Sequence, residues 1–333
     1  MTPIGKPAVL VTAAKLAPEA VAILEQAGYA VPCTSAYPSE AELLAAIAEH
    51  RPIALLHRQG IINGTVMDAA APALRVIARH GAGVDGIDLP AAKARGLTVT
   101  RAAGANSRSV AEHAMALMLS LLKDLPSVVE GMRGGVWEKT SRMTRDVEGT
   151  SLGILGYGAI GSKVARLADA FGMRVFAFDP LIAPGALPGP GERVADLHGL
   201  LVRAEVLSLH CPLDATTRGM IGATELALLP RGAILVHTAR GGIVDEAALL
   251  AALDSGQVSW AGVDVFAKEP LDAESPLRRH PRVLPTPHLA ANTPRGAVGM
   301  STGAAESIVA VLAGRLPALE GAIVVPGGLR AAA

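Results

Sequence analysis

Three polar residues in the last third of the chain have the side-chain types that hydride transfer to a ketone requires. Arg240 lies in VHTARGGIVDE, Glu269 in GVDVFAKEPL and His288 in LPTPHLAANT. Reduction of a ketone needs a proton donor for the new alkoxide, and histidine suits this role near neutral pH. An arginine can polarise the carbonyl and bind a neighbouring carboxylate. An acid beside the imidazole would fix its tautomer and raise its pKa.

Each of these residues taken alone also has a simpler interpretation. A single arginine is usually on the surface, a Glu-Pro pair often only ends an element, and a histidine in a loop is usually solvated. All three residues, however, follow predicted strands, and open α/β sheets bind their ligands at the carboxyl ends of strands. We therefore predict that Arg240, Glu269 and His288 are catalytic.

A glycine-rich turn is the predicted site of the hydride carrier. GYGAIG follows a predicted strand and opens a predicted helix, and Asp179 ends the next strand. This arrangement is typical of a dinucleotide-binding turn. The first glycine permits the tight turn, the second lets a pyrophosphate approach the backbone, and the third lets helix and strand pack closely. The predicted cofactor residues of the turn are Gly156, Gly158, Ala159, Ile160 and Gly161.

Asp179 favours NAD over NADP as the cofactor. Its carboxylate can accept hydrogen bonds from both adenosine ribose hydroxyls, and it would repel a 2′-phosphate. The alternative is a glycine-rich turn in a flavodoxin-like domain that binds no nucleotide. A P-loop does not fit, because the G-x-x-x-x-G-K-[ST] register is absent from this segment.

Strands alternate with helices on both sides of this turn. Before it, apolar runs such as AVLVTA, PIALLH and LRVIARHGAG predict buried strands, with helices at 18–27, 40–50, 64–71 and 88–95. From residue 150 onwards the predicted strands are TSLGILGYG, MRVFAFD, EVLSLH, GAILVHT, WAGVDVF and RVLPTP, with helices at 159–171, 196–204, 223–229, 245–255 and 294–314. This alternation predicts the α/β fold class, with two doubly wound parallel-sheet domains.

A long helix over 105–125 is predicted to link the two regions, followed by a less regular arm or loop over 126–149. The last helix is expected to cross back to the first region. The predicted domains are therefore a discontinuous domain, 1–104 plus 298–333, and a cofactor domain, 105–297.

Composition limits the partners of the chain. With 333 residues it is too long for one ordinary core, and its 30 basic and 30 acidic residues cancel. This balance argues against nucleic acid or an anionic membrane as a partner, and we see no apolar run of membrane-spanning length. Cys33 and Cys211 lie far apart without metal-ligand spacing. We predict reduced thiols, no metal and a cytoplasmic location.

Five motifs in order carry a resemblance that covers nearly the whole chain. LGYGAIG…FAFDP, LSLHCPLDATTRGMI, TARGGIVDEAALLAAL, GVDVFAKEPL and TPHLAANT resemble the D-isomer-specific 2-hydroxyacid dehydrogenases, such as the phosphoglycerate, glycerate and D-lactate dehydrogenases. RHGAGVDGIDLPAAKARGLTV and ANSRSVAEHAMALML match the first-domain and linker patterns of that family. The resemblance implies a Rossmann cofactor domain inserted into a flavodoxin-like substrate domain. The first hundred residues would then form one wall of the active-site cleft.

The resemblance also implies roles for individual residues. It makes His288 the acid/base, Glu269 its partner and Arg240 the substrate-binding arginine. Predicted substrate residues are Arg58, Ala82, Gly83, Val84, Asn106, Arg240 and His288. Predicted cofactor residues beyond the glycine turn and Asp179 are Cys211, Pro212, Thr217, Thr238, Ala239, Arg240, Asp264 and His288. The chain departs from the family pattern at His237, where Asn is frequent, and at Ala290, where Gly is frequent.

The substrate is predicted as a small D-2-hydroxy acid or 2-keto acid. Arg58 or His57 could bind a phosphate or a second carboxylate at the far end of the substrate, and Arg133, Lys139 and Arg142 could reach the cleft of a partner in a homodimer. If these charges converge, 3-phosphoglycerate is expected. If Arg58 is merely a solvated loop residue, glyoxylate, hydroxypyruvate or another short 2-keto acid is expected. Separately, the sequence contains no regulatory domain of the kind found in longer phosphoglycerate dehydrogenases, so feedback control is not expected. Alternatives are a phosphite-type dehydrogenase and an NAD-sensing corepressor-like binding protein. Formate dehydrogenases carry Gln where this chain has Glu269.

Overall fold

Strands and helices alternate along the chain in a computed structural model that describes residues 6–185 and 187–328. The elements before residue 107 are β1 (Val9–Val11), α1 (Pro18–Gln26), α2 (Glu40–His50), β2 (Ala54–His57), α3 (Gly64–Ala69), β3 (Val76–Arg79), α4 (Leu89–Ala94) and β4 (Thr98–Arg101). Those from 107 to 292 are α5 (Ser107–Leu122), α6 (Leu125–Arg133), β5 (Ser151–Leu155), α7 (Gly161–Ala170), β6 (Arg174–Phe178), β7 (Glu192–Arg193), α8 (Leu197–Leu201), β8 (Val206–Leu209), α9 (Ala223–Leu228), β9 (Ala233–His237), α10 (Glu246–Asp254), β10 (Val258–Val263), α11 (Pro276–Arg279) and β11 (Val283–Pro285). The last two elements are α12 (Pro294–Leu312) and β12 (Ile323–Val325).

The described residues fold into two compact units. The first unit combines the segments 1–106 and 293–333, as far as they are described, and the second unit spans Ser107–Asn292. The chain therefore passes between the units after Asn106 and after Asn292. The predicted boundaries lay at residues 104 and 297.

The first unit contains a five-stranded sheet in the order β1-β2-β3-β4-β12. β1 to β4 pair in parallel, whereas β12 runs antiparallel to β4. Single parallel bridges, Ala8 to Ala30 and Val11 to Cys33, extend the sheet beyond β1. Apolar cores fill both faces of the sheet, one of them with α12. The antiparallel strand β12 was not predicted, because its three residues are too few for a periodic signal.

The second unit contains a seven-stranded parallel sheet in the order β11-β10-β9-β8-β5-β6-β7. Two apolar cores cover its faces, with α5 and α7 on one side and α8 to α10 on the other. The strand order changes direction between β5 and β8. Ligands of such sheets bind outside the carboxyl ends of the strands at this point. The predicted α/β class with doubly wound sheets is confirmed by this architecture.

The chain segment that follows β4 and precedes β5 differs from the sequence prediction. The predicted helix over 105–125 ends at Leu122, and α6 then occupies part of the predicted irregular segment. Asp124 adopts a left-handed φ of 50° between the two helices. Pro126 lies in the first turn of α6, where a missing N–H costs no helical hydrogen bond. The proline therefore starts a helix rather than a loop.

No helix in the ranges 6–185 and 187–328 is both long enough and apolar enough to cross a membrane. Within the same ranges, His, Cys, Asp and Glu side chains form no group of three or more that could hold a metal ion.

Candidate active site

His288 and Glu269 form a direct pair in the second unit. Nδ1 of His288 lies 2.7 Å from Oε2 of Glu269, and the two side chains are 46% and 35% exposed. Oε1 of Glu269 accepts a hydrogen bond from the backbone N–H of Phe266 at 3.0 Å. Both carboxylate oxygens of Glu269 are thus held by hydrogen bonds. Because Nδ1 of His288 is bound to Glu269, its Nε2 is available to a reacting group. The structure thus brings together the predicted acid/base and its predicted partner.

The charge state of Glu269 follows from its surroundings. Burial by itself would raise its pKa. The hydrogen bonds from His288 and Phe266, together with the charges of His288 and Arg240, lower the pKa overall below its ordinary value. The carboxylate is therefore ionised near neutral pH, and it can stabilise an imidazolium at His288.

A buried carboxylate holds the segment that carries His288. Asp264 follows β10 and is 0% exposed. Its Oδ1 accepts from Thr286 Oγ1 at 2.6 Å and from the Leu289 N–H at 3.0 Å, and its Oδ2 accepts from the Ala290 N–H at 3.0 Å. His288 has a left-handed φ of 50°, which non-glycine residues rarely adopt. Asp264 therefore fixes an uncommon backbone conformation that presents the imidazole.

Arg240 follows β9, as predicted. Its guanidinium donates to the Ala239 carbonyl at 2.7 Å, and its charge lowers the pKa of Glu269. The next residue, Gly241, must lack a side chain, because a Cβ there would lie 1.8 Å from the Phe266 carbonyl oxygen. The Arg240 backbone is thus packed tightly against the segment that leads to Glu269.

The glycine turn has the properties of a phosphate cradle. A Cβ at Gly161 would lie 2.1 Å from the Gly156 carbonyl oxygen, and one at Gly156 would lie 2.7 Å from the Cys211 nitrogen. Gly156 also has a φ of +90°. A Cβ at Gly158 would meet nothing within 4 Å. Two glycines are therefore required by packing, whereas the space beside Gly158 fits the approach of a dinucleotide pyrophosphate.

Asp179 is fixed at the end of β6 by two backbone donors. Its Oδ2 accepts from the Tyr157 N–H at 2.8 Å, and its Oδ1 accepts from the Leu181 N–H at 2.9 Å. Each carboxylate oxygen keeps further acceptor capacity, which is what two ribose hydroxyls would need.

The predicted adenosine-side loop is held by its own hydrogen bonds. Thr217 Oγ1 donates to the Pro212 carbonyl at 2.7 Å and accepts from the Asp214 N–H at 2.8 Å. Burial raises the pKa of the Cys211 thiol to about 11. Cys211 is therefore a poor nucleophile, and Thr217 shapes the loop around it.

The sequence comparison agrees with this geometry. Residues 115–290 match the family model "D-isomer specific 2-hydroxyacid dehydrogenase, NAD binding domain". The chain belongs to this family. The second unit is accordingly an NAD-binding domain, and NAD is its cofactor.

Known relatives extend the likeness beyond that domain. The D-3-phosphoglycerate dehydrogenase of Mycobacterium tuberculosis H37Rv is 40% identical over 292 residues, which cover 88% of this chain and 54% of the relative. The chain thus spans about half the length of the curated relatives it matches. The TT0316 protein of Thermus thermophilus is 35% identical, with a TM-score of 0.84 over 96% of this chain and 100% of that one. A glyoxylate reductase from Paecilomyes thermophila is 28% identical, with a TM-score of 0.81 over 96% and 98% of the two chains.

The predicted carboxylate site of this family member lies in the first unit. Within the described ranges, the N–H groups of Ala82, Gly83 and Val84 donate to no other protein group. These three successive N–H groups, called the nest, are available to bind an anion such as a carboxylate. Arg58 lies on the loop after β2 of the same sheet. Oδ1 of Asn106 is buried and accepts no hydrogen bond from the described residues.

Sequence reasoning missed one residue of this region. Arg79 ends β3 and donates to the Gly83 carbonyl at 2.8 Å and to the Arg58 carbonyl at 2.5 Å. Both acceptors are backbone carbonyls, so no motif of side chains in the sequence could predict these hydrogen bonds. The one available signal was the position of an arginine at a strand end, directly before the predicted nest.

Polar atoms without partners cluster at the ends of β8 and β9. Among the described residues, neither ring nitrogen of His237, nor Thr238 Oγ1, nor His210 Nδ1 has a hydrogen-bond partner. Buried polar atoms normally have one. Thr238 is a predicted cofactor residue, and all of these atoms are buried.

Buried histidines predict a loss of stability in acid. Burial lowers the pKa of His57, His80 and His237 to about 4 and that of His210 to about 3. The unfolded chain takes up these protons below about pH 6.5, whereas the folded chain does so only near pH 4. The unfolded state therefore binds more protons across this window, and each histidine is expected to reduce stability by on the order of 3 kcal/mol as the pH falls.

Urea unfolding between pH 7.5 and pH 4.5 measures this dependence. His237→Asn should make the unfolding midpoint less dependent on pH, because the amide does not titrate. The matched control is His198→Asn, at an exposed position on α8, which should leave the dependence unchanged. Equal pH dependence in the two variants would contradict the assignment to buried imidazoles.

Proposed function

We propose that the protein is an NAD-dependent D-2-hydroxyacid dehydrogenase that moves hydride between the cofactor and C2 of a small 2-hydroxy or 2-keto acid. The observation that carries this proposal is the 2.7 Å pair of His288 and Glu269 on an NAD-binding domain. Reduction of a ketone requires a proton donor, and a carboxylate beside the donor stabilises its protonated form. The presence of Glu269 favours this chemistry over formate oxidation, in which no proton is delivered.

The side chains of the chain have distinct tasks in this reaction. NADH supplies the hydride when it is bound. Nε2 of His288 donates a proton to the oxygen of the new hydroxyl, while Glu269 keeps Nδ1 protonated and stabilises the imidazolium. Arg240 binds the carboxylate and polarises the carbonyl through its planar fork. In the oxidation direction, the same imidazole accepts the hydroxyl proton.

The first unit supports a substrate with a second anionic group. Burial, and then the positive charges of Arg58 and Arg79, lower the pKa of His80, so both charges act on the same part of this unit. The N–H nest of residues 82–84 suits the carboxylate, and Arg58 suits a distal phosphate. Several curated relatives are named D-3-phosphoglycerate dehydrogenase. We therefore place 3-phosphoglycerate ahead of glyoxylate and hydroxypyruvate as the substrate.

NADH consumption with a panel of keto acids tests this proposal. The panel contains 3-phosphohydroxypyruvate, hydroxypyruvate, glyoxylate, pyruvate and one bulky 2-keto acid. We expect turnover, with the highest kcat/KM for the phosphorylated acid and a selective loss of that preference in Arg58→Gln. Turnover that favours glyoxylate would contradict the substrate assignment. NADH binding without turnover of any acid would contradict the enzyme and favour an NAD-sensing protein.

The cofactor preference is expected to depend on Asp179. Asp179→Ala should narrow the preference for NADH over NADPH by about tenfold, since it removes the charge that repels the 2′-phosphate. Dissociation constants from nicotinamide fluorescence measure the effect. Asp196→Ala is the matched control, because Asp196 also accepts a backbone N–H, that of Gly199 at 2.7 Å, but lies at the start of α8. An unchanged preference in Asp179→Ala would mean that another residue recognises the ribose.

An exposed apolar surface supports a homodimer. α6 contains no buried residue, and Met132, Val136 and Trp137 are 51%, 50% and 75% exposed. Exposed apolar patches of this kind commonly mark interfaces. Light scattering should give the mass of a dimer, and Trp137→Glu should shift the protein towards the monomer. Free thiols at Cys33 and Cys211 support the predicted cytoplasmic location.

A further inference from the structure

Arg79 connects the two loops of the first unit that carry the predicted substrate residues. One loop follows β2 and contains Arg58. The other follows β3 and contains the N–H nest of residues 82–84. Nε of Arg79 donates to the Gly83 carbonyl at 2.8 Å, and Nη1 donates to the Arg58 carbonyl at 2.5 Å. One guanidinium group thus fixes the positions of both loops.

The bond to Gly83 determines where the nest points. A peptide group is planar and trans, so its C=O and N–H point in opposite directions. When the Gly83 carbonyl is held by Arg79, the N–H of Val84 must point away from Arg79. Val84 is one of the three residues whose N–H groups donate to no other protein group in the described ranges. The guanidinium therefore directs an N–H group of the nest without being part of it.

The His57 imidazole contacts the guanidinium of Arg79 and helps to hold it in place, which is called bracing here. Nε2 of His57 lies 2.9 Å from the Gly60 carbonyl, which can only accept, so Nε2 carries the proton. Nδ1 is then the acceptor for Nη1 of Arg79, 3.4 Å away. The ring is 1% exposed, and a Cβ at Gly86 would lie 2.8 Å from its Cε1. The imidazole is thus wedged between the Arg58 loop and the segment that follows the nest.

We propose that Arg79, braced by His57, is the positioning residue that orients the carboxylate-binding nest and the Arg58 loop as one unit. This inference rests on the proposed function. Arg79 acts through backbone carbonyls rather than on the substrate itself. Its loss should therefore weaken binding of every 2-keto acid, because all of them share the carboxylate. It should weaken binding of the phosphorylated acid at least as much as that of glyoxylate, because the Arg58 loop is released together with the nest. A direct contact with a distal phosphate would weaken binding of the phosphorylated acid alone.

Arg79→Lys tests the proposal, because lysine keeps the charge but cannot hold two carbonyls with a planar fork. The matched control is Arg101→Lys. Arg101 ends the neighbouring strand β4, pairs with Arg79 in the sheet, and donates to the Gly321 carbonyl at 3.0 Å. Two readouts apply: KM and kcat for glyoxylate and 3-phosphohydroxypyruvate, and the calorimetric Kd of oxalate, a carboxylate probe that accepts no hydride.

We expect Arg79→Lys to raise both KM values and the Kd of oxalate by about tenfold to a hundredfold, with kcat nearly unchanged. Arg101→Lys and the affinity for NADH should not change. The proposal is overturned if Arg79→Lys keeps the wild-type KM values and Kd of oxalate, or if only the phosphorylated acid is affected. It is also overturned if Arg101→Lys has the same effect as Arg79→Lys, or if the wild-type protein binds no oxalate. Wild-type turnover in the same assay decides the proposed function separately.

If Arg79→Lys does not fold, His57→Gln tests the proposal in its place. This variant removes the imidazole that contacts Nη1 of Arg79 and leaves the guanidinium group itself unchanged. A smaller increase in all KM values is expected, with the phosphorylated acid affected at least as much as glyoxylate. Unchanged KM values and an unchanged Kd of oxalate in a folded His57→Gln protein would overturn the proposal.

Discussion

His288→Ala should lower kcat/KM for reduction of a 2-keto acid by about a thousandfold while NADH binds almost as well as before. The variant removes the imidazole whose Nδ1 lies 2.7 Å from Oε2 of Glu269. The alkoxide formed by hydride transfer must then take its proton from water. The measurement is steady-state reduction of the best acid of the panel, with NADH affinity determined by fluorescence.

Two further variants distinguish a loss of proton transfer from a general loss of structure in the second unit. His280→Ala removes another histidine of the second unit that lies near a carboxylate, with Nε2 3.3 Å from Asp254 Oδ1. It should leave kcat/KM unchanged. Glu269→Gln should have a smaller effect than His288→Ala, because the amide still accepts from Nδ1 but no longer stabilises the imidazolium. Retained turnover in His288→Ala, or an equal loss of NADH binding, would contradict the assignment of His288.

Arg240→Lys should lower kcat/KM by about a hundredfold, even though the charge is retained. The planar guanidinium can bind a carboxylate through two parallel hydrogen bonds and still polarise the carbonyl, whereas an ammonium is a single point charge. Because lysine retains the positive charge that lowers the pKa of Glu269, the loss of activity is expected from the geometry of the guanidinium and not from a changed charge state of Glu269.

The control for Arg240→Lys is Arg231→Lys. Arg231 lies on the loop before β9 and donates to the Ser255 carbonyl at 2.9 Å, at the opposite end of the strand from Arg240. This variant should retain wild-type kinetics. If lysine at position 240 also sustains wild-type kcat/KM, bidentate recognition by Arg240 is wrong.

The glycine turn and the His288–Glu269 pair were predictable for different reasons. At Gly156 and Gly161 a side chain would collide with backbone, so the sequence has no other choice there. His288 and Glu269 follow successive strands of one parallel sheet, and the carboxyl ends of such strands share an edge. The strand-end rule could bring the two residues to one edge, and the family motifs assigned their roles. Neither predicted that buried Asp264 holds the segment of His288.

The features that were missed share a physical cause. Arg79 acts on backbone carbonyls, and a carbonyl has the same chemistry at every position of the chain. β7, α11 and β12 have two, four and three residues. Such short elements show no periodicity, and their neighbours determine their conformation. His237 departs from the family pattern, and its burial at the end of β9 depends on packing that no single motif encodes.

Transfer of the label from deuterated NADH tests the proposed reaction most directly. The protein is incubated with 3-phosphohydroxypyruvate, or with the best acid of the panel, and NADH deuterated at both C4 positions. We predict a product with one deuterium at C2 and the D configuration. A product without deuterium at C2, or with the L configuration, would contradict hydride transfer by a D-2-hydroxyacid dehydrogenase.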